Sequence, residues 1–194
     1  MSNSQEDCGK NTMTKYIALL RGVNVGGKNK VYMADLKSSF ERQGFQNVVT
    51  YINSGNIIFK SDIADENALK TVCEKRISAD FGLDIVVCVI RAADLREVLA
   101  HAPEWWNKAQ DARHDAFFVI PPMTAAEICA HVGEIKAEYE MADYYGNVIF
   151  WSATIATFSR TRWSKISNDK AMYGAITVRN ANTALKLAEL TKEE

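Results

Sequence analysis

The order in which two apolar patterns alternate constrains this chain most. "KYIALLRG", over about residues 15 to 21, is a compact apolar run ended by glycine, the mark of a mostly buried strand. Met33, Leu36 and Phe40 follow at i, i+3 and i+7, one face of a helix that closes near Gly44, a residue suited to a left-handed cap. "QNVVTYI" and "GNIIFKS" are β-rich runs meeting at "NSG", a hairpin connection built from residues that tolerate positive φ. Leu69, Val72, Cys73 and Ile77 outline a second helix ending at Gly82, and "LDIVVCVIR" is another buried strand. The order β-α-β-β-α-β predicts a ferredoxin-like unit, with helices on one face of an antiparallel sheet and the other face open as a binding surface.

The second half repeats part of this order. "AADLREVLAHAP" reads as a helix leaving the first unit, with Leu95, Val98 and Leu99 on one side and Pro103 as its stop. The polar stretch "EWWNKAQDARHD" marks a boundary, giving a unit over residues 14–100 and a second α+β unit over 101–194. "AFFVI" is a strand, and Thr124 with Glu127 spells a capping box that opens a short helix. "AEYEMADY" and "NVIFWSA" alternate around the turn Tyr145-Gly146-Asn147. Residues 154 to 174 read as loop with a short helix, followed by the strand "AITV". "ANTALKLAEL" ends the chain as a helix capped by Asn180 or Asn182, with Ala184, Leu185, Ala188 and Leu190 as its apolar side. Two related α+β halves with ferredoxin-like antiparallel sheets are expected, without a visible sequence repeat.

Composition narrows the class. With 47% hydrophobic and 24% charged residues the chain has the make-up of a soluble globular protein, and a net charge of −1 provides no global field for nucleic acid or an anionic membrane. Any anion recognition must be local. The polar start "MSNSQEDCGKNTM" lacks a signal-peptide pattern and reads as a flexible tail over residues 1–13. The apolar runs are strand-length, which predicts a cytoplasmic protein with no membrane partner. Cys73, Cys88 and Cys129 read as small core hydrophobes, and His101, His114 and His131 have no neighbours at ligand spacing, so neither metal nor cofactor is expected.

Two segments concentrate positive charge. "RGVNVGGKN" has the glycine and lysine spacing of a phosphate-binding P-loop but puts Asn29 where a magnesium-binding hydroxyl belongs, and the helical pattern begins only at Met33. What survives is a local anion site: Arg21, Lys28 and Lys30 without an acid among them, on a loop shaped by Gly26 and Gly27. The second segment carries Arg160, Arg162, Lys165 and Lys170 against Asp169, with Trp163 among them as a stacking surface or as a residue covered by basic side chains. Arg179 and Asn180, before the last helix, offer another anion position, or Arg179 pairs with a structural carboxylate. Ser54 and Ser164 have no nearby histidine in sequence, which argues against nucleophilic catalysis.

"YIALLRGVNVGGKN", "VVTYINSGNIIF", and "SK" followed by "TVRNANTALKLAEL" together resemble the DUF1697 family of small bacterial proteins, over about residues 14 to 192. The resemblance implies two α+β subdomains related to the ferredoxin-like fold and no established activity. The chain departs from the pattern at Ala181, where members carry an aromatic residue, and in its long approach "TIATFSRTRWSK".

The leading functional expectation is a binder of an anionic ligand, a nucleotide or nucleic-acid segment. Its contacts would be Arg21, Asn24, Gly26, Gly27, Lys28, Asn53, Ser54, Asn56, Arg160, Ser164, Lys165, Arg179 and Asn180. An enzyme acting on a phosphorylated or carboxylated metabolite, with Ser54, Asn56 and Ser164 participating, is the second expectation. An interaction module anchored by Trp105 and Trp106 is the third.

Overall fold

The computed structural model describes residues 13–192, so residues 1–12 of the expected tail, Cys8 included, lie outside the described residues. The first half runs β1 (Thr14–Leu20), α1 (Met33–Arg42), β2 (Gln46–Tyr51), β3 (Asn56–Ser61), α2 (Glu66–Phe81), β4 (Val87–Arg91) and α3 (Ala92–Ala100). The second runs β5 (Ala112–Val119), α4 (Ala125–Val132), β6 (Glu140–Tyr145), β7 (Val148–Thr154), α5 (Lys170–Gly174), β8 (Ile176–Asn180) and α6 (Ala181–Leu190). Two 3-10 segments, Ile155–Arg160 and Trp163–Asn168, lie between β7 and α5.

Each half forms a four-stranded antiparallel sheet, ordered β2-β3-β1-β4 and β6-β7-β5-β8. These are the same ferredoxin-like order written twice. The helix ends follow local chemistry: Asp65 caps α2 by accepting from Asn67 and Ala68, and Gly82 at φ 65 closes it. Thr124 and Glu127 form the expected reciprocal box on α4. Asn180 caps α6 by accepting from the Thr183 amide at 2.8 Å.

β1 shows why its sequence has no polar alternation. Tyr16, Ala18 and Leu20 enter a core with Leu36 and Phe40 of α1 and Leu69, Cys73 and Ile77 of α2, while Ile17 and Leu19 enter a different core on the other face. A strand buried on both sides reads as continuously apolar. In the second half, Phe117 and Val119 face a core with Ile128 of α4, and Ala116 and Phe118 face the opposite way.

The face expected to stay open is closed. Ile17, Leu19, Ile58 and Cys88 of the first sheet share one core with Ala116, Phe118, Val148 and Phe150 of the second. α3 and α6 follow the last strand of their units, fold back over these faces, and contribute Leu95, Val98, Ala184 and Leu187 to the shared core. α3 therefore does not leave the first unit. The driving force is apolar burial, roughly 2 kcal/mol for each large side chain fully removed from water. Trp106 joins the same core, and Trp105 packs against it half-buried, so the tryptophan pair does not form an exposed anchor.

Two smaller expectations also change. α6 buries Ala181, Thr183, Ala184 and Leu187, whereas Leu185 and Leu190 are exposed, because the shared core lies one position around the helix from the face the sequence suggested. Trp163 is only 2% exposed, within 5.0 Å of Phe117, so it is a core residue with no face left for stacking on a ligand. Cys73 and Cys88 are buried free thiols; burial pushes both up, Cys88 to about 12, which suits packing rather than reactivity.

Candidate functional site

The chain leaves β1 at Leu20 and turns through Gly22 at φ 69. The amide of Asn24 donates to the Asn29 carbonyl at 3.1 Å and that of Lys28 to the Val25 carbonyl at 3.0 Å, closing a small hairpin. Its tip is Gly26-Gly27, at φ 59 and 77, the pair of positive values that a type I′ turn requires. Asn24 locks the hairpin down: its Nδ2 donates to the carbonyls of Val31 at 2.9 Å and Asn53 at 2.8 Å, and its Oδ1 accepts from the Val31 amide at 2.9 Å. Val23 and Val31 are buried pins on either side. Gly26, Gly27, Lys28 and Lys30 are left exposed on a braced turn.

α1 begins directly after this loop, and its N-cap residue, Tyr32, makes no side-chain cap bond. The start of the helix therefore lacks the side-chain acceptor that usually occupies its first amides. Asn24, Gly27, Lys30, Val31, Tyr32, Met33 and Asn53 line a cleft of about 360 Å3 there. Tyr32 is 77% exposed beside it. Lys28 lies five residues before α1 and is not on the helix, so the P-loop geometry does not form.

The "NSGN" hairpin and Arg179 make a different structure. Asn56, fully buried, donates through Nδ2 to the Tyr51 carbonyl and the Ser54 Oγ, both at 3.0 Å, and accepts from Arg179 Nε at 2.5 Å. Arg179, 7% exposed, sends Nη1 to Thr177 Oγ1 and the Val178 carbonyl, and Nη2 to the carbonyls of Leu20, Ser54 and Gly55. It pairs with no carboxylate among these contacts, and every guanidinium nitrogen is engaged. Burial lowers its pKa to about 10, so it stays charged at neutral pH. Asn56 and Arg179 thus act as a clasp between the halves, and Asn180 as a helix cap.

The second basic segment lies elsewhere on the surface. The Arg160 guanidinium sits over the Tyr139 ring at 5.6 Å, and its carbonyl accepts from Lys136 Nζ at 3.1 Å. Lys165 lines a cleft of about 450 Å3 with His131, Lys136, Arg162 and Asp169. None of these residues lines the loop cleft. The segment is shaped by a residue the sequence reading missed: buried Glu140 accepts from the amides of Arg162 at 2.7 Å and Trp163 at 3.2 Å, and from Trp151 Nε1 at 3.0 Å. A link from the glycine loop to the second half runs through Arg21, whose guanidinium lies 4.7 Å from the centre of the Tyr173 ring on α5.

The candidate nucleophiles are held in turns. Ser54 Oγ accepts from Asn56, and Ser164 Oγ donates to the Thr161 carbonyl at 3.1 Å. A hydroxyl–imidazole contact forms instead between Ser152 and His114 Nδ1 at 2.5 Å, with His114 Nε2 at 2.9 Å from the Ala109 carbonyl. Strand register creates this pair, since His114 and Ser152 are partners across β5 and β7, and no sequence spacing signals it. Both residues are buried, and the imidazole also accepts from the Asn107 amide at 3.0 Å, so it anchors the segment entering β5.

No curated protein matches this chain. The structure described as conserved bacterial protein SP0830 from Streptococcus pneumoniae is similar to it, with 31% identity and a TM-score of 0.82, covering 94% of this chain and 100% of that one. An unknown protein from Galdieria sulphuraria aligns at 10% identity over 87% of this chain and 98% of its own, with a TM-score of 0.26, too low to bear on the fold. The family described as "Protein of unknown function (DUF1697)" matches residues 13–150, a span that contains the glycine loop and the "NSGN" hairpin but stops before the second basic segment and Arg179. A chain matched over most of its length by that family, and across nearly all of it by a similar bacterial structure, belongs to the DUF1697 family.

Proposed function

We propose that the protein binds an anionic ligand at the glycine loop, and that the ligand is a nucleotide or a short single-stranded nucleic-acid segment. The observation that carries this reading is the braced hairpin of residues 21–30, which exposes Gly26, Gly27, Lys28 and Lys30 and contains no acid. Its neighbour Tyr32 is exposed at the uncapped start of α1, and Arg21 stands over Tyr173. Cations beside exposed aromatic rings suit phosphate and base together, through charge, stacking and cation–π attraction.

In this reading Arg21, Gly26, Gly27, Lys28 and Lys30 make contact. Asn24, Asn53, Ser54, Asn56 and Arg179 hold the loop in shape, and Asn180 only caps α6. Lys165 lines a separate basic cleft with Lys136 and Arg162, and this segment, which also carries Arg160 and Ser164, adds affinity for longer strands.

Fluorescence anisotropy with a labelled single-stranded oligonucleotide at low ionic strength tests it, alongside calorimetry with mononucleotides. Lys28→Ala with Lys30→Ala should weaken binding of a short probe about tenfold and flatten its salt dependence. Arg160→Ala with Lys165→Ala should matter only for longer probes. Absence of binding to every nucleotide and every strand at low salt removes the proposal.

A further inference from the structure

A cleft of about 300 Å3 opens along the edge strand β4, where the two halves meet. Its walls come from the start of α2, from β4 and α3, and from the end of β5 and the β6–β7 turn. Cys88, Val98, Phe118, Ile120 and Val148 give it an apolar interior, and all five are buried. Three carboxylates, Glu66, Asp94 and Glu97, share the lining with one cation, Lys70, which Glu74 already holds at 2.9 Å. Arg91, outside the lining, stands 3.9 Å from Glu66 and 3.5 Å from Asp94. Glu97 has a neutral partner, the Tyr145 hydroxyl, which donates to it at 3.3 Å.

The strand edge restricts what can enter. The amide of Val87 donates to Glu74 Oε1 at 3.0 Å and that of Arg91 to Glu66 Oε1 at 3.2 Å, so side chains from α2 occupy both ends of the free edge. Val89, midway between them and in the same phase of the β1–β4 register, lines the cleft. One residue of edge is too little for an added peptide strand, whose affinity comes from a row of main-chain bonds. The volume matches the small end of small-molecule sites, which favour junctions between domains.

We infer that this cleft binds a small molecule with an apolar body and a cationic amino group, the body among Val98, Phe118, Ile120 and Val148 and the ammonium against Glu97 and Asp94. The preference is opposite in charge to that of the glycine loop, so the two sites answer to different ligands. Val89 supplies a main-chain group for a polar substituent on the body.

Titration of the methyl-labelled full-length chain with n-hexylamine, n-hexanol and n-hexanoate near neutral pH, read by NMR, tests the inference. Hexylamine should shift the methyls of Val89, Val98, Ile120 and Val148 saturably, hexanol more weakly and hexanoate least. Glu97→Gln should weaken hexylamine about tenfold and leave hexanol unchanged. Asp94→Asn provides the same comparison at a second exposed carboxylate. The inference is overturned if hexylamine produces no saturable shift at these methyls, if hexanoate binds as tightly, or if both variants bind hexylamine like the parent protein.

Discussion

Arg179 Nε donates to Asn56 Oδ1 at 2.5 Å across 123 positions of sequence, joining β8 of the second half to the first residue of β3 in the first. The same guanidinium reaches the carbonyls of Leu20 and Gly55, where β1 and the "NSGN" turn come together. Arg179→Met keeps much of the length and leaves several buried acceptors without a donor, so urea unfolding should report a loss of about 3 kcal/mol. Arg179→Lys should recover little of it, because one ammonium cannot span the forked set of acceptors. Losses below about 1 kcal/mol in both variants would show that the clasp does not hold the halves.

Gly55 sits at φ +74 with no room for a side chain: an added Cβ would lie 2.5 Å from Val23 Cγ2 and 2.8 Å from Leu20 Cβ. Gly55→Ala should therefore cost about 2–3 kcal/mol, combining a disfavoured backbone conformation with overpacking beside the loop. Thermal unfolding measures the loss. Gly26→Ala, where nothing lies within 4 Å, is the control for the conformational part alone.

Glu140 is a buried carboxylate answered by N–H donors, two of them the amides of Arg162, which caps the second 3-10 segment, and of Trp163, which begins it. Glu140→Gln replaces an acceptor-only group with one that must aim two hydrogens into a nest of donors. It should destabilise the fold by about 2–4 kcal/mol and speed hydrogen exchange at Arg162 and Trp163 first. Uniform exchange across the second half, with no local excess at those amides, would argue against this role.

Asp80 yields a pH dependence with a fixed sign. Hydrogen bonding from Ser39, then Arg76 and Arg42, holds its carboxyl down at about 2. Its stabilising contribution is complete above the unfolded value of about 3.9 and is lost as pH falls through about 2. Acid titrations of stability should lose part of their slope in that window in Asp80→Asn. An unchanged slope would mean that Asp80 does not stabilise the α1–α2 contact.

Much of the fold was legible because local signals agree with it. The apolar runs correspond to observed strands, and the Gly82 cap and the Thr124–Glu127 box to observed helix ends. The site was less legible. The glycine loop could be read for its charge, but its bracing by Asn24 depends on Asn53, which only the adjacent hairpin brings within 2.8 Å. Trp163 lay among basic residues in sequence and is buried in space, since the 3-10 turn points it inward while Arg162 and Lys165 face out.

The sequence by itself determined one strand order and a partial repeat of it, because periodicity and turn chemistry act over a few residues and survive in a linear reading. Only the tertiary structure decided that the supposedly open sheet faces close on each other, that Arg179 is buried with its guanidinium engaged between the two halves, and that the two basic segments line separate clefts. Those outcomes depend on which surfaces α3 and α6 cover and on which distant carbonyls surround one guanidinium. Neither leaves a local pattern, because both arise from packing between residues far apart in sequence, more than a hundred positions for Arg179 with Asn56 and Leu20.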